Sequence, residues 1–313
     1  MPFLLPDAGP PSTSPPTSIA AVLVLHGSVG DLRATVGSLL PVVDRLLVVD
    51  NNPAPTPLPA QQGLSLLHNA NRGALAGAYN LALQTLRALP EGLPAAVVFV
   101  DQDSDPAVLA RFLADAGVQA LLARSDVAAV SPAYCDRATG LRGRYIELDR
   151  WRLHHLPRRF AGLRPVAFVI NSMSVWRTAA LQRIGPFNEA LAIDHVDTEY
   201  CLRARALGLS VWVHGDHEFA HSIGERRRYR LLGRELQAGG HGPQRRRLIG
   251  RNTMWLARCW AWREPAFAAL CLLRLAYEAV GIAIAEDRKA PKLAALLRGI
   301  GQGLVMPARA ARQ

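Results

Sequence analysis

Cysteine is scarce and scattered in this chain of 313 residues. Its four cysteines have no Cys-x-x-Cys spacing and no histidines at zinc-finger spacing, so they favour neither a disulfide framework nor a zinc site. Charged residues make up only 19% of the chain, whereas half of its residues are hydrophobic. Such a composition can bury a sizeable core, which excludes a disordered or fibrous protein. The cysteine pattern is typical of a reducing, cytosolic setting.

The first 18 residues lack the basic start and the long apolar stretch of a secretory signal. They are rich in proline and serine, and we expect residues 1–18 to form a flexible leader. An α/β domain is expected to follow at residues 19–224.

Acidic residues are few in the last third of the chain. From residue 222 onward, 18 lysines and arginines face 6 acidic residues, so this part alone carries a net charge of +12. It includes the arginine triplets 226–228 and 245–247. A region of this kind attracts polyanions such as nucleic acid, an anionic membrane or a diphosphate-bearing lipid. Because no nucleic-acid-binding motif or interleaved aromatic residues accompany the triplets, nucleic acid is not expected.

The apolar segment 266–285 is long enough to span a bilayer, but Arg274 and Glu278 lie inside it. These charges favour an interfacial or packed helix over a spanning one. We therefore predict that residues 225–313 form a basic helical region that docks on a membrane or on the acceptor.

Short apolar runs alternate with stretches of helical periodicity along residues 20–213. This alternation predicts a mostly parallel sheet with helices on both faces. The charged stretch 136–164, which contains Trp151, interrupts the pattern and is assigned to the acceptor side. The predicted strands are 20–25, 45–50, 64–67, 95–100, 127–132, 165–170 and 209–213, and the predicted helices are 74–89, 178–184 and 196–207.

Polar residues follow the predicted strands, where parallel sheets bind ligands. Asp50 and Asn52 follow the second strand, and Asp101, Gln102 and Asp103 follow the fourth. Two carboxylates one residue apart suit Mg²⁺ or Mn²⁺, and such a metal can stabilise a departing nucleoside diphosphate. The structural alternative is a solvated loop or an Asx turn.

Three carboxylates, at Asp194, Asp197 and Glu199, stand at the start of a predicted helix. Asp197 is the candidate general base for an acceptor hydroxyl, while Asp194 could cap the helix and Glu199 points elsewhere. His221 follows the last strand and is either structural or a further metal ligand.

The segment Asn71-Arg72-Gly73 precedes the helix predicted at 74–89. A helix N-terminus flanked by Asn and Arg suits phosphate or ribose oxygens, although an ordinary helix-starting turn would look the same. The segment is therefore a candidate donor-binding loop.

Together these motifs resemble family 2 glycosyltransferases, specifically the bacterial rhamnosyltransferase branch. The resemblance covers roughly residues 20–263. It implies a GT-A fold, an inverting single displacement and a nucleotide-sugar donor, commonly dTDP-L-rhamnose, with acceptors in cell-surface glycans. The motifs that carry it are Val48-Val49-Asp50-Asn51-Asn52, Asn71-Arg72-Gly73, Asp101-Gln102-Asp103-Ser104, Ile184-Gly185-Pro186-Phe187-Asn188-Glu189 and Ile193 to Arg203.

The resemblance also implies roles for single residues. Asp197 takes the place of the catalytic base, and Asp103 and His221 take those of metal ligands. Asp194, Glu199, Arg203 and Trp151 are further candidates for acceptor-binding or supporting roles, which the resemblance does not itself assign. The resemblance implies that Asp50 and Asp101 contact the donor, and the full set of candidate donor-binding residues is Asp50, Asn52, Asn71, Arg72, Gly73, Asp101 and Gln102.

Two departures concern recognition of the nucleotide base. The first strand ends in Leu25-His26-Gly27-Ser28 instead of a Thr-Tyr-Asn-like turn, and Pro53 replaces a small hydroxyl residue. A transferase using a UDP- or GDP-linked sugar is therefore one alternative, and a membrane- or polyanion-binding module without catalysis is another. For the transferase we expect a glycan or polyprenyl-diphosphate-linked acceptor and a cytoplasmic location at the inner face of the cell membrane.

Overall fold

The computed structural model describes residues 18–27, 30–221, 227–231 and 234–308. The predicted leader lies outside the described residues except for Ser18, and so does the predicted domain boundary at residues 224 and 225.

A central sheet of eight strands forms the body of the protein, in the spatial order β3-β2-β1-β4-β9-β5-β10-β8. Neighbours pair in parallel except at β9 and at the edge strand β8, which run antiparallel. The strands are β1 (Ile19–Leu25), β2 (Arg45–Asp50), β3 (Leu64–His68), β4 (Ala96–Asp101), β5 (Val127–Asp136), β8 (Leu163–Val166), β9 (Val175–Arg177) and β10 (Ser210–His221). Two hairpins stand apart: β6 (Ile146–Leu148) with β7 (Leu153–His155), and β11 (Arg227–Leu231) with β12 (Arg234–Ala238).

Helices cover the sheet and continue into the C-terminal region. The α-helices are α1 (Leu32–Leu39), α2 (Ala74–Ala88), α3 (Leu109–Leu113), α4 (Ala116–Ala123), α5 (Thr178–Ile184), α6 (Val196–Ala206), α7 (Pro243–Trp260), α8 (Pro265–Ala285) and α9 (Lys289–Val305), with short 3₁₀ helices at Pro106–Val108 and Glu189–Leu191. The predicted α/β class, the mostly parallel sheet and the helical C-terminal region are confirmed.

The hydrophobic pattern of β1 explains why both faces are covered. Val22 and Val24 belong to the core on one face of the sheet, and Leu23 and Leu25 belong to the core on the other. Since successive side chains of a strand point to opposite faces, a uniformly apolar strand needs helices on both sides.

The predicted order of elements holds, but the second half of the sheet differs from the prediction. The strand expected at 165–170 is instead Leu163–Val166, and Ala167 and Val169 are buried core residues outside any strand. Strand β9 has three residues and was not predicted, because it is too short to give a periodic pattern. It inserts antiparallel between β4 and β5.

The last strand is also longer than predicted. Strand β10 continues eight residues past Val213 through a bulge at His214–Glu218 and ends at His221. A bulge accommodates polar residues that interrupt the apolar pattern from which strands are predicted. This extension brings His221 to the end of β4.

The C-terminal helices pack closely together. Gly250, Gly299 and Gly303 lie where α7 and α9 approach, and a Cβ at any of them would press on a backbone carbonyl of the neighbouring helix. Arg246 is buried and forms ion pairs with Glu278 and Glu286. The expectation that the triplet 245–247 is available to attract polyanions is therefore wrong for Arg246.

Among the described residues, the single helix Pro265–Ala285 is long and apolar enough to cross a membrane, and a bent pair formed by residues 106–114 and 116–123 passes the same criterion jointly. One third of the apolar part of the single helix is buried within the protein.

Candidate active site

A cleft of about 1140 Å³ opens at the carboxyl ends of β1, β2 and β4. One wall carries Asp101, Gln102 and Asp103, which follow β4, together with Asn71. The opposite wall comes from the C-terminal region and includes Arg245 of α7 and the α8 residues Arg274, Tyr277 and Glu278. Asp194, Ile193 and His221 complete the lining. The cleft lies where sheets of this topology bind ligands.

Three potential metal ligands meet at this cleft. One ligand atom each of Asp101, Asp103 and His221 lies within 4.8 Å of the other two. Nδ1 of His221 is 3.5 Å from Oδ1 of Asp103 and 3.0 Å from Oγ of Ser104. Two carboxylates and an imidazole form a donor set that suits Mn²⁺ and accommodates Mg²⁺.

The carboxylates of this group destabilise one another's charged forms. Burial and then the neighbouring carboxylates of Asp103 and Asp197 raise the pKa of Asp101 to about 7, against a hydrogen bond donated by Tyr79. Burial lowers the pKa of His221 despite the charges of Asp103 and Asp136, so its imidazole is held neutral. A neutral imidazole beside carboxylates that repel one another is what a cation would bind and stabilise.

Asp197 lies beside the group without lining the cleft itself. It is half-buried near the start of α6, and its charge contributes to the raised pKa of both Asp101 and Tyr79. Burial raises the pKa of Asp197 to about 6, although the backbone amides of Asp197 and Asn171 donate to its carboxylate. Such a carboxylate is charged near neutral pH and is a stronger base than an exposed aspartate.

Asp194 is engaged by the C-terminal region. Arg245 forms two hydrogen bonds of 3.2 Å with its carboxylate. Burial acts to raise the pKa of Asp194, but these bonds and the charges of Arg245 and Arg274 lower it below its usual value. The structure therefore gives Asp194 an ion-pair partner, which makes it a weaker base than Asp197.

The loop before α6 has a strained backbone that α7 holds in place. Ala192, Asp194 and His195 all have positive φ angles, near 60°. The buried side-chain amide of Asn252 donates to the carbonyls of Leu191, Ile193 and Asp194, at 2.7, 2.8 and 3.2 Å. Nε2 of the buried His195 lies 2.9 Å from Oγ1 of Thr253. Non-glycine residues stay in this backbone region only where their surroundings fix them.

Replacing Asn252 by alanine is expected to lower the free energy of unfolding by about 2–4 kcal/mol, because three carbonyls lose their donor. For the transfer that the sequence predicts, it should also lower kcat more than it raises the KM for the donor, since Asp197, the predicted base, follows the loop directly. Thr253→Ser keeps the hydroxyl near His195 and is the matched control. Denaturant unfolding and steady-state kinetics measure both effects, and a variant with unchanged kcat would show that this loop does not position the base.

The end of β1 is clamped by two predicted donor-binding residues. The side-chain amide of Gln102 accepts from the backbone N–H of His26 and donates to its carbonyl, both at 2.9 Å. Oδ1 of Asn52 accepts from the backbone N–H of Gly27 at 2.7 Å. Asp50 is fully buried and accepts backbone hydrogen bonds from Asn52 and Thr56. These contacts shape the turn that follows β1.

The predicted donor-binding loop Asn71-Arg72-Gly73 has an unusual backbone. Ala70, Asn71, Gly73 and Ala74 all adopt left-handed φ angles between 49° and 63°. Nδ2 of Asn69 donates to the carbonyl of Arg72 at 2.7 Å. Of the three predicted residues, Asn71 lines the cleft, and Arg72 and Gly73 shape the loop behind it.

Gly77, in the first turn of α2, keeps this loop in place. A Cβ at Gly77 would press on the carbonyl of Arg72. We expect Gly77→Ala to lower the free energy of unfolding by about 1–3 kcal/mol through this overpacking. Gly37→Ala, in α1 with open space around the added methyl, should raise it by about 0.5–1 kcal/mol. Denaturant unfolding of both variants checks the contrast, which equal effects would contradict.

Three predicted supporting residues lie outside the cleft lining. Glu199 and Arg203 form a buried ion pair of 2.9 Å, and Arg203 also donates to the carbonyls of Ile184 and Pro186. They hold α6 against the turn after α5. Trp151 is 69% exposed at the tip of the β6–β7 hairpin, where the guanidinium of Arg150 lies 5.2 Å from its ring.

Sequence reasoning missed the wall that the C-terminal region contributes. In the sequence, Arg245 is only one member of a basic triplet, and Arg274 and Glu278 are only charges that interrupt an apolar run. Two charges on one side of an otherwise apolar helix are the signal that could have placed that side at a polar site. Tyr79, which donates to Asp101, was hidden in an alanine-rich helix.

A second group of potential metal ligands, Asp115, His214 and His217, lies outside the cleft lining. Nδ1 of His214 accepts the backbone N–H of Asp216 at 3.2 Å, so its Nε2 carries the proton and points to Asp115 at 3.5 Å. A protonated nitrogen has no lone pair for a metal. This group is therefore interpreted as a hydrogen-bonded cluster that joins α4 to β10.

Comparison with known proteins adds one partial relative and several distant structures. No protein family model matches the chain. The chain is similar in structure to GalNAc-T7 crystallised with UDP, GalNAc and Mn²⁺ (TM-score 0.49, 13% identity, 75% of this chain and 48% of that one). It is also similar to S. aureus TarS 1-349 (TM-score 0.42, 14% identity, 90% and 71% of the two chains).

Among curated proteins, the dTDP-rhamnosyl transferase RfbF of Shigella flexneri is 33% identical over 89 residues. The match covers 28% of this chain and 29% of the relative's length. It bears out the resemblance to bacterial family 2 glycosyltransferases, and the observed sheet and helices bear out the fold class that this resemblance implies.

Proposed function

We propose that this protein is an inverting GT-A glycosyltransferase that moves L-rhamnose from dTDP-rhamnose to a hydroxyl of a cell-surface glycan or lipid-linked acceptor. The observation that carries the proposal is the meeting of Asp101, Asp103 and His221 in the cleft, with Asp197 beside them. Two carboxylates for a cation and a third for a proton are what such a transfer needs.

The residues present fit a divalent metal. Asp101, Asp103 and His221 would hold it, and the mutual repulsion of the carboxylates and the neutral imidazole both favour cation binding. When bound, Mg²⁺ or Mn²⁺ supplies a positive charge that stabilises a departing nucleoside diphosphate.

The chain's own groups then supply the proton transfer. The carboxylate of Asp197 takes the proton of the acceptor hydroxyl while that oxygen forms a bond to the anomeric carbon. The bond from this carbon to the diphosphate breaks, and the nucleoside diphosphate leaves with the electron pair. A single displacement of this kind inverts the configuration of the anomeric carbon. The loop held by Asn252 keeps Asp197 in place.

The rate is expected to depend on pH through Asp197. Because its pKa is raised to about 6 and the base must be unprotonated, kcat at saturating metal should be flat above that pH. Below it, kcat should fall about tenfold per pH unit. Circular dichroism across the same range controls for unfolding, and a kcat that stays constant well below pH 6 in folded protein would contradict the assignment.

The identity of the donor rests on the resemblance and on the partial match to a dTDP-rhamnosyl transferase. The turn after β1 departs from the pattern of that branch, so UDP- and GDP-linked sugars belong in the test. We propose to measure nucleoside diphosphate release and donor binding for dTDP-, UDP- and GDP-sugars with Mg²⁺ or Mn²⁺. Preference for dTDP-rhamnose would support the proposal, and failure to bind any nucleotide would overturn it.

We further propose a cytoplasmic location at the inner face of the cell membrane, with a glycan or polyprenyl-diphosphate-linked acceptor. The support is the basic C-terminal region, whose side chains Arg245 and Arg274 also line the cleft. An anionic acceptor would meet these cations as it enters.

A further inference from the structure

The outward side of α8 carries an apolar stripe that no described part of the chain covers. Its largest members are Leu273, Leu272, Ile284 and Val280, with 67%, 52%, 45% and 39% of their surfaces exposed. We call it the outer stripe, and it comprises Leu272, Leu273, Ala276, Val280, Ala283 and Ile284. The spacing keeps these residues along one face of the helix, so they form a continuous patch and not scattered exposed residues.

The other sides of α8 are already occupied. Phe267, Cys271, Leu275 and Ile282 are buried against the protein, and the polar side carrying Arg274, Tyr277 and Glu278 lines the cleft. A helix that packs on one side and borders a polar cleft on another has only its remaining face free for lipid. Although Pro265–Ala285 is long enough to span a bilayer, this arrangement favours a position in the membrane interface.

Exposed cations flank both ends of α8. Arg263 precedes α8, and Arg288 and Lys289 follow it, all three exposed. Of the nearby acidic residues, Glu264 and Glu286 are buried in ion pairs and Asp287 is paired with Lys292. An apolar face with cations at its two ends matches an anionic membrane, in which the head groups are charged and the acyl region is apolar.

We propose that the outer stripe of α8 docks the protein on an anionic phospholipid surface, with α8 lying in the plane of the membrane interface. Binding to phospholipid does not depend on the proposed function; only the biological reason for that binding rests on it. The same helix borders the cleft through Arg274 and Tyr277, so docking places the cleft mouth at the head-group layer, where a lipid-linked acceptor presents its sugar.

The test uses the full chain and vesicles of phosphatidylglycerol with phosphatidylcholine, compared with phosphatidylcholine alone. The variant is Leu273→Glu combined with Val280→Glu, and the control is Leu66→Glu, which changes a leucine on β3 that is about as exposed as Val280. We expect the double variant to lower the vesicle partition coefficient by about tenfold or more, since two apolar side chains are lost from the interface. The control should bind like wild type.

Nucleoside diphosphate release in solution separates this inference from the proposed function. Neither Leu273 nor Val280 lines the cleft, so the double variant should release nucleoside diphosphate at the wild-type rate without vesicles. Retained vesicle binding by the double variant would overturn the docking surface while leaving the transferase intact. A second result would also overturn the docking surface: wild-type protein does not bind anionic vesicles and is a dimer by light scattering, whereas the double variant is a monomer. The outer stripe would then bind a second copy of the chain.

Discussion

Replacing Asp197 by asparagine is expected to lower glycosyl transfer by about 10²–10⁴-fold, the usual contribution of a general base. The amide keeps the shape of the side chain and loses only its ability to take a proton. Donor binding should change little, because the proposed metal ligands are Asp101, Asp103 and His221. Steady-state transfer and donor titration, measured side by side, check both expectations.

Asp194→Asn is the comparison that separates the two neighbouring carboxylates. Asp194 lines the cleft, but it is held in an ion pair with Arg245 and its pKa is lowered. We expect a loss of less than about tenfold from this change, because an asparagine can still accept from Arg245. A larger loss for Asp194→Asn than for Asp197→Asn would move the role of base to Asp194.

Asp103→Ala is expected to lower transfer by about 100-fold or more at low metal concentration, because it removes one of three potential ligands. Part of the activity should return at high Mn²⁺, which a variant with a damaged fold would not show. Metal titrations of activity and of Mn²⁺ binding measure the shift.

Asp105→Asn controls for the loss of a carboxylate in the same loop. Asp105 caps the 3₁₀ helix Pro106–Val108 and does not belong to the group of potential ligands. Its variant should have the metal dependence of wild type. Equal behaviour of the two variants, or an Asp103→Ala enzyme with unchanged metal dependence, would contradict the proposed centre.

The first half of the fold could be predicted because its strands are central and apolar. Strands β1, β2 and β4 are nearly fully buried, so each gives a short apolar run with a polar residue at its end or directly after it. That regularity placed Asp101 and Asp103 at the edge of the sheet where ligands bind. The α2, α5 and α6 helices were predicted to within one residue for the same reason.

The second half could not be predicted because its elements depend on tertiary contacts. Strand β9 exists only because β4 and β5 pair on either side of it, and β10 continues through polar residues at a bulge. The extension of β10 brings His221 to Asp103, which spacing along the chain does not reveal. The apolar residues Ala167 and Val169 pack in the core without forming the strand that their pattern predicts.

Part of the candidate site could be predicted from the sequence. The carboxylates of Asp101, Asp103 and Asp197 stand out in sequence, whereas the support that Asn252 gives to the loop before α6 is a contact across 58 or more residues. The sequence predicts that the C-terminal region is a docking module. The structure shows that it also builds one wall of the cleft through α7 and α8.

The position of Mn²⁺ in crystals grown with Mn²⁺ and dTDP tests the proposed metal site most directly. Anomalous scattering locates manganese without reference to the surrounding atoms. We expect a peak among Asp101, Asp103 and His221, with the diphosphate of dTDP in contact with it. Manganese at Asp115, His214 and His217 instead, or dTDP bound elsewhere than in this cleft, would contradict it.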